Sequence, residues 1–277
     1  MLLVSNLVYS QDKIYLYPST EKRTIEGFDK EPPFIEFLKA KGTPNGITIL
    51  VVPGGGYTHL SVDYEGTDVA RFYNENGFDA WVLHYRLNDG EQKGHRFPDQ
   101  YNDVTTAIRI VKSKAKDAEK VGIIGFSAGG HLSSMCATMH LAAEKEAKNP
   151  VQRFSSRPSF AMLIYPVIDM NTKIAHSGSR TMLLGNDPDK KLADSLSTQN
   201  RVTENTPPTF IVYSTDDDVV MVENGVRFYE ALHQHNVPAT IHIYDHGGHG
   251  YGLATEDPVV GMWPKLSVDW IMSLKLK

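Results

Sequence analysis

Apolar runs long enough for β-strands recur along the chain and are separated by polar segments that contain glycine and proline. The runs span residues 47–52, 80–83, 121–126, 160–164, 210–213 and 240–244. Most of them are nearly continuous instead of alternating with polar residues, which is typical of strands buried on both faces. The pattern therefore predicts a set of central strands in a buried sheet.

Segments with helical spacing lie between these runs. Their apolar stripes are Val104, Ala107, Ile108, Val111 and Ala115; Val222, Val226, Tyr229 and Leu232; and Trp263, Leu266, Trp270 and Leu274. Strand alternating with helix, without an internal repeat or a long linker, predicts one α/β domain over residues 12–277. We expect a doubly wound, mostly parallel sheet with helices on both faces, which binds ligands beyond the carboxyl ends of its strands.

Residues 171–208 interrupt this alternation. The stretch is polar and contains no clear strand. Loops of this length in a compact domain are usually functional or disordered. We therefore predict a lid or cap over the site, with a plain surface excursion as the alternative.

The overall composition narrows the classes of partner. The chain has 277 residues, with 28 Lys and Arg against 33 Asp and Glu, and a formal net charge of -5. Without a dense basic run, a nucleic-acid partner is not expected. The single cysteine, Cys136, excludes an intramolecular disulfide, and no apolar run approaches the roughly 18 residues of a membrane-spanning helix. No membrane partner is predicted, and the oligomeric state is left open.

The first eleven residues resemble the end of a signal peptide. Their apolar stretch at residues 1–8 is followed by polar Asp12 and Lys13, but it lacks a basic leading region. We expect residues 1–11 to be a signal-peptide remnant, with a disordered tail or an ordinary first strand as the alternatives. A signal remnant implies a periplasmic or secreted protein, and otherwise the protein is expected in the cytoplasm.

Residues 125–129, Gly-Phe-Ser-Ala-Gly, match a sharp strand-to-helix turn that exposes a nucleophilic serine. The glycines are needed because side chains beside Ser127 would collide with the adjoining strand and helix. Residues 121–125 predict the strand before the turn, and residues 128–141 predict the helix after it. Ser127 is therefore the candidate nucleophile, with a non-catalytic glycine-rich turn as the alternative.

A second glycine-rich segment, Gly54-Gly55-Gly56, follows the predicted strand 47–52. Glycines let backbone N–H groups approach a ligand oxygen closely, as in an oxyanion hole. We predict that the N–H groups of Gly55 or Gly56, together with that of Ala128, hold the oxyanion. The alternative is a flexible turn.

A serine needs a histidine base and an acid to become nucleophilic, in the chain order Ser, Asp, His for this kind of turn. Three carboxylates, Asp216, Asp217 and Asp218, follow the predicted strand 210–213. One of them can orient a histidine while another caps the start of the next helix.

Two histidines, His246 and His249, lie on a glycine-rich loop after the last predicted strand. Either can reach Ser127 with little steric hindrance. They are not expected to bind a metal, because no cysteine or acidic residue stands at the spacing of a metal site. The chemistry that these residues support needs neither a metal nor a cofactor.

Taken together, the motifs resemble the acetyl-xylan-esterase-like α/β-hydrolases. The segments that carry the resemblance are residues 53–57, 65–66 and 85–87, then Asp103, Ala107 and Ile108, and residues 125–132, 217–224 and 247–253. The resemblance covers residues 14–270 and implies the α/β-hydrolase fold. The resemblance assigns the base to His249 and the acid to Asp217. In the family, the acid is followed after two residues by Val-Pro, which is why it is placed at Asp217. Met221 replaces that proline here, which leaves Asp216 and Asp218 as alternatives.

The resemblance also implies a function, a serine esterase that removes acetyl groups from carbohydrate such as xylan or its oligosaccharides. The expected partner is thus a small-molecule or oligosaccharide ester. The alternatives are a general carboxylesterase or lipase-like hydrolase, and a peptidase of the prolyl-oligopeptidase type, for whose usual extra domain the chain has no room. A non-catalytic binding protein on the same fold is disfavoured because all the triad residue types are present in order.

Overall fold

An eight-stranded β-sheet forms the centre of the structure. The computed structural model describes residues 12–18, 20–21, 23–26, 28–89 and 94–276, so the predicted signal remnant or tail at residues 1–11 lies outside the described residues. The strands are β1 (Asp12–Tyr15), β2 (Phe34–Leu38), β3 (Thr48–Val52), β4 (Asp79–His84), β5 (Val121–Phe126), β6 (Ala161–Ile164), β7 (Thr209–Ser214) and β8 (Ala239–Tyr244). They lie side by side in the order β1-β2-β4-β3-β5-β6-β7-β8.

The sheet is parallel from β4 through β8, and β1 and β2 are antiparallel to their neighbours. The predicted central strands correspond to β3 through β8, with boundaries that agree within one residue. The predicted α/β class and the mostly parallel sheet are confirmed. Strands β1 and β2 were not predicted, because both are short and carry charged residues instead of a continuous apolar run.

Helices connect the parallel strands. They are a π-helical turn (Asp63–Thr67) that continues into α1 (Asp68–Glu75), then α2 (Asp99–Lys114), α3 (Ser127–Thr138), α4 (Ser177–Leu184), α5 (Lys190–Ser195), α6 (Glu223–Gln234) and α7 (Trp263–Ser273). Crossovers between parallel strands are right-handed, so helices that lead in opposite directions across the sheet lie on opposite faces. Helix α1 leads from β3 to β4, whereas α2, α3 and α6 lead in the other direction. Helix α1 therefore lies on one face of the sheet, and α2, α3 and α6 lie on the other. Tyr73 Oη and Ser267 Oγ are 2.7 Å apart, so α7 lies beside α1. No helix in the described residues is both long and apolar enough to cross a membrane.

Residues 171–208 form α4, α5 and the turns around them, without a strand. The side-chain amide of Asn88 donates a hydrogen bond to the carbonyl of Met182 over 2.8 Å. Leu183 and Leu196 are buried in the main hydrophobic core. The stretch is thus packed onto the sheet-and-helix body, and its action as a lid stays a prediction.

The backbone of α3 packs directly against the carboxyl end of β3. A β-carbon at Gly129 would lie 2.3 Å from the carbonyl oxygens of Val52 and Pro53, closer than any real contact. At Gly125 it would lie 2.2 Å from Ser133 Oγ. Glycine is required at both positions, and this close approach is what lets a helix begin immediately where β5 ends.

Replacing Gly129 by alanine tests this packing. We expect Gly129→Ala to lower the free energy of unfolding by about 3 kcal/mol, because the new methyl group forces two backbone segments apart. A matched control is Gly178→Ala in α4, whose methyl group would meet only the His176 side chain, at 3.1 Å. That change is expected to shift stability by less than about 1 kcal/mol. Urea unfolding measures both, and equal stability of Gly129→Ala and the wild type would contradict the packing argument.

Candidate active site

Ser127 lies at the turn between β5 and α3. Its φ angle is 49°, in the left-handed region that residues other than glycine rarely adopt. The residue is largely buried, and its carbonyl accepts a hydrogen bond from the N–H of Val167 over 3.1 Å. This is the strained strand-to-helix turn that the sequence predicts.

His249 and Asp217 meet Ser127 from two other loops. Nε2 of His249, on the loop after β8, lies 2.9 Å from Ser127 Oγ. Its Nδ1 lies 2.7 Å from Oδ2 of Asp217, which follows β7. The structure thus brings together Ser127, His249 and Asp217, the set that the resemblance selects.

The Asp217 carboxylate is held from both of its oxygens. Its side chain is fully buried, and Oδ1 accepts hydrogen bonds from the N–H groups of Val219 (3.0 Å) and Val220 (2.8 Å). An ionised carboxylate can only accept, so His249 must donate Nδ1–H to Oδ2. In a neutral ring this leaves the lone pair of Nε2 facing the serine hydroxyl, which is the arrangement that proton abstraction requires.

The alternative acids and the alternative base occupy other places. Asp216 accepts a hydrogen bond from the N–H of Gly248 over 2.8 Å, and Asp218 is exposed. His246 lies between two carboxylates, with Nδ1 2.6 Å from Asp245 and Nε2 2.9 Å from Asp257. Hydrogen bonds to these two carboxylates raise the pKa of His246 above its ordinary value. The structure therefore does not bring His246, Asp216 or Asp218 to Ser127.

The glycine-rich loop after β3 lies beside Ser127. Gly54 donates its N–H to Glu65 Oε2 over 2.8 Å and is therefore not free to bind a ligand. The N–H groups of Gly55 and Gly56 donate to no acceptor within the described ranges. The N–H of Ala128 lies in the first turn of α3, where no intrahelical acceptor exists. All three predicted donors remain candidates, and the choice between Gly55 and Gly56 stays open.

Sequence reasoning did not assign a role to Glu65, which lies buried beside this loop. Besides the Gly54 contact, Glu65 accepts a hydrogen bond from the hydroxyl of Tyr165 over 2.8 Å. Burial raises the pKa of the Glu65 carboxyl, and its hydrogen bonds and the nearby His249 oppose that rise. Tyr165 Oη in turn accepts from the N–H of Gly252 over 2.9 Å, and its ring centroid lies 4.9 Å from that of His249. This series of hydrogen bonds joins the glycine-rich loop after β3 to the loop that carries His249.

His131 makes a second buried connection that the sequence did not reveal. Its Nε2 lies 2.8 Å from the carbonyl of Leu196, and its Nδ1 lies 2.8 Å from the hydroxyl of Tyr57. Because a carbonyl only accepts, Nε2 carries the proton and Nδ1 accepts from Tyr57. Burial lowers the pKa of His131 to about 4, which keeps the ring neutral. Helix α3 is thereby joined to the glycine loop and to residues 171–208.

The only sequence signals for these connections were weak. Glu65 and His131 lie within the motifs that carry the family resemblance, but nothing in their spacing indicates what they contact. Tyr165 follows the apolar run of β6 and is typical of a core aromatic residue by pattern alone. Identifying their contacts required the three-dimensional structure.

A pocket of about 350 Å³ opens above the serine. It is lined by Gly55, Gly56, Thr58, His59, Ser61, Tyr64, Glu65, Ser127, His176, Gly178, Met182, Val219, His249 and Gly250. His176, Gly178 and Met182 come from residues 171–208, so the predicted lid segment contributes one wall. Across the described part of the chain, no group of three or more His, Cys, Asp or Glu side chains is arranged to hold a metal ion. The expected absence of a metal stays a prediction.

Comparison with known proteins identifies the family. A family model described as BD-FAE matches residues 37–232. The chain is 38% identical over 220 residues to an acetylxylan esterase of Xylanibacter ruminicola, which covers 76% of this chain and 42% of that protein. It is 32% identical over 214 residues to endo-1,4-β-xylanase B of Butyrivibrio fibrisolvens, covering 76% of this chain and 33% of that protein. The chain thus spans less than half the length of these two relatives.

A solved structure agrees over the full length. The crystal structure of an acetyl ester-xyloside bifunctional hydrolase from Caldicellulosiruptor lactoaceticus matches with a TM-score of 0.87 and 38% identity, covering 97% of this chain and 98% of that one. The resemblance inferred from the motifs is therefore confirmed. The chain belongs to the BD-FAE family, has the α/β-hydrolase fold and has esterases among its relatives.

Proposed function

We propose that the protein is a serine esterase that removes short acyl groups, principally acetyl, from carbohydrate such as xylan or its oligosaccharides. The observation that carries the proposal is the hydrogen-bonded series from Ser127 Oγ to His249 (2.9 Å) and from His249 to Asp217 (2.7 Å) at the floor of a pocket. Such a series on this fold serves acyl transfer through a covalent acyl-enzyme.

In the proposed reaction His249 moves the proton and Asp217 orients the ring. Nε2 of His249 takes the hydroxyl proton as Ser127 Oγ attacks the ester carbonyl, and the imidazolium that forms is stabilised by the Asp217 carboxylate. His249 then gives the proton to the departing alcohol, which leaves an acyl-serine. A water molecule, deprotonated by the same nitrogen, then attacks the acyl-serine. The bond from the acyl carbon to Ser127 Oγ breaks, Oγ takes the proton back from His249, and the acid is released. No step uses a metal or a cofactor.

Backbone donors stabilise the negative charge that develops on the carbonyl oxygen. We assign this role to the N–H of Ala128, with that of Gly55 or Gly56 as the second donor. Donors held in place before the reaction cost no rearrangement when the charge forms, and removing one such donor typically costs about 100- to 1,000-fold in kcat.

Pocket size and the names of the relatives support a small acyl group on a sugar. A volume of about 350 Å³ is at the lower end for ligand pockets. Two relatives are named as an acetylxylan esterase and an acetyl ester-xyloside bifunctional hydrolase. The segment 171–208 supplies one wall, where the imidazole of His176 is the polar side chain beside Gly178 and Met182. The alternatives remain a general carboxylesterase or lipase-like hydrolase and a prolyl-oligopeptidase-type peptidase.

We also assign a positioning role to Glu65 and Tyr165. Through Gly54 and Gly252 they hold the loop of the proposed oxyanion donors at a fixed distance from the loop that carries His249. Only a carboxylate can accept from Gly54 and Tyr165 on separate oxygens. The two loops come from distant parts of the sequence, so we assign to this contact the role of fixing their relative position.

Alanine variants of the two loop histidines test the base. We expect Ser127→Ala and His249→Ala each to lower kcat by about three orders of magnitude or more, because the triad acts as a unit. His246→Ala is the matched control and is expected to keep most of the activity, since the hydrogen-bond partners of His246 in the described part of the chain are Asp245 and Asp257. An inactive His246→Ala beside an active His249→Ala would refute the assignment, as would more than a tenth of wild-type turnover in Ser127→Ala.

The three neighbouring carboxylates are tested in the same assay. Asp217→Ala is expected to lose at least about 100-fold in kcat, less than the serine and histidine variants, because the acid orients and stabilises but does not react. Asp218→Ala is expected to match the wild type. Asp216→Ala is expected to show a smaller loss than Asp217→Ala, since it frees only the N–H of Gly248. A larger loss for Asp216→Ala than for Asp217→Ala contradicts the proposal.

Glu65→Gln tests the positioning role. The amide has a single acceptor oxygen, so either the N–H of Gly54 or the O–H of Tyr165 loses its acceptor in a buried site, and we expect kcat to fall about 10- to 100-fold. Tyr165→Phe removes the link to Gly252 and is expected to give a similar loss, with KM changed less than kcat. Glu75→Gln, at an exposed carboxylate in α1, serves as the control. Wild-type kcat in both Glu65→Gln and Tyr165→Phe would contradict the assignment.

Substrate preference tests the proposed acyl group and alcohol. We expect faster acetate release from acetylated xylo-oligosaccharides than hydrolysis of octanoyl esters under matched conditions, because the pocket is small. Aminoacyl anilides are expected to react much more slowly still. A clear preference for octanoyl or longer esters would favour a lipase-like carboxylesterase, and preferred cleavage of the anilides would favour a peptidase.

A further inference from the structure

Three ring-bearing side chains in the pocket have no part in the proposed mechanism. They are His59, from the loop after β3; Tyr64, from the turn before α1; and His176, from the segment 171–208. They converge on the pocket of Ser127 and His249 from three separate parts of the chain. The hydrogen bonds of the two histidines define what each ring offers to a ligand.

His176 offers a hydrogen-bond donor. Its Nδ1 accepts from the backbone N–H of Ser179 over 3.3 Å and lies 2.8 Å from the hydroxyl of the same residue. An N–H group can only donate, so Nδ1 carries a lone pair and the neutral ring carries its proton on Nε2. Burial and the neighbouring His249 lower the pKa of His176, and Asp217 opposes this less strongly. The Nε2–H group has no hydrogen-bond partner in the described part of the protein.

His59 offers an acceptor. The hydroxyl of Thr58 donates its only hydrogen to the carbonyl of Gly55 over 3.0 Å. Its oxygen, 3.0 Å from Nδ1 of His59, therefore accepts from that nitrogen. The neutral His59 ring thus carries its proton on Nδ1 and presents the lone pair of Nε2. His59 is exposed, so this acceptor is accessible from the pocket mouth.

Tyr64 offers an aromatic face at the mouth of the same pocket. Its side chain is 45% exposed although it is a large aromatic residue, and its hydroxyl donates to Ser61 Oγ over 3.3 Å. An aromatic ring with one wet face is the kind of surface on which ligands with both apolar and polar sides bind. The ring of a pyranose has this character, because C–H groups line its faces and hydroxyl groups line its rim.

We propose that His59, Tyr64 and His176 form the subsite that binds the sugar half of the ester, a pyranose with a free hydroxyl beside the acylated one. A hydroxyl group both donates and accepts. Because His59, Tyr64 and His176 line one pocket, the hydroxyl groups of a bound sugar can accept from Nε2–H of His176 and donate to Nε2 of His59, and its ring can contact Tyr64. This subsite rests on the proposed function, and it names which residues distinguish a sugar ester from a simple alkyl ester.

The experiment compares kcat/KM for a monoacetylated xyloside with that for ethyl acetate, which has no hydroxyl group on its alcohol half. His176→Asn retains a side chain that can cap α4 but removes the Nε2–H donor. We expect the ratio of xyloside to ethyl acetate activity to fall about ten-fold, the effect of one hydrogen bond in a partly buried site. Tyr64→Ala is expected to lower the same ratio through KM, and Tyr64→Phe, which keeps the ring, is expected to retain it.

His235→Asn, at an exposed histidine after α6, is the matched control and is expected to leave the ratio at the wild-type value. An unchanged ratio in both His176→Asn and Tyr64→Ala would overturn the subsite, as would equal losses on both substrates, which would indicate a role at the reaction centre or in folding. Failure of the proposed function has a different signature. In that case the wild type itself cleaves ethyl acetate but not the acetylated xyloside, or Ser127→Ala remains active.

Discussion

The backbone of helix α3 lies directly against the carboxyl ends of β3 and β5, and the geometry of the candidate active site depends on this contact. At Gly129 the space of a β-carbon is already occupied by the carbonyl oxygens of Val52 and Pro53. The helix can therefore begin at the first residue after β5, with Ser127 at a φ angle of 49°. A strained residue persists only where its surroundings over-determine it. Here β5, α3 and the close contact of Gly129 with the end of β3 hold Ser127 in place.

Buried polar contacts then fix the loops around the serine. The residues of the site follow β3, β5, β7 and β8, whose carboxyl ends meet at one edge of the parallel sheet. Glu65 and Tyr165 join the glycine loop to the histidine loop, and His131 joins α3 to the segment 171–208. A buried polar group is costly unless it is hydrogen-bonded, so Glu65 is tolerated because each of its oxygens accepts from a donor. These contacts connect the loops that surround Ser127 to one another and to α3.

The parts of the fold that the sequence predicted are those with a strong local signal. Strands β3 through β7 are nearly continuous apolar runs that are largely buried on both faces, and their boundaries follow from the pattern. The edge strand β8 is only partly buried, but its apolar residues still carried enough signal to predict it. The serine turn could be found because sterics restrict it to glycine at flanking positions. Strands β1, at the edge of the sheet, and β2, beside it, escaped prediction because both are short and mixed in composition. The roles of Glu65, Tyr165 and His176 could not be predicted, since each depends on contacts between residues far apart in the chain.

The sequence alone could not distinguish the candidate acid and base from their neighbours. Asp216, Asp217 and Asp218 are chemically identical neighbours, and His246 and His249 share one glycine-rich loop. Only three-dimensional placement separates them, with Asp217 buried against His249 and His246 exposed between two other carboxylates. The family resemblance favoured the pair that the structure places beside Ser127, although Met221 replaces the proline of the family pattern.

Reaction with paraoxon, an organophosphate, tests most directly the central claim that Ser127 is a nucleophile activated by His249. Attack of Oγ on phosphorus expels nitrophenolate and leaves a diethylphosphoryl group on the serine, which peptide mass spectrometry locates. The account predicts one group per chain, on Ser127, added much more slowly in His249→Ala and at the wild-type rate in His246→Ala. Modification of another residue instead, or an equal rate at Ser127 without His249, would contradict it.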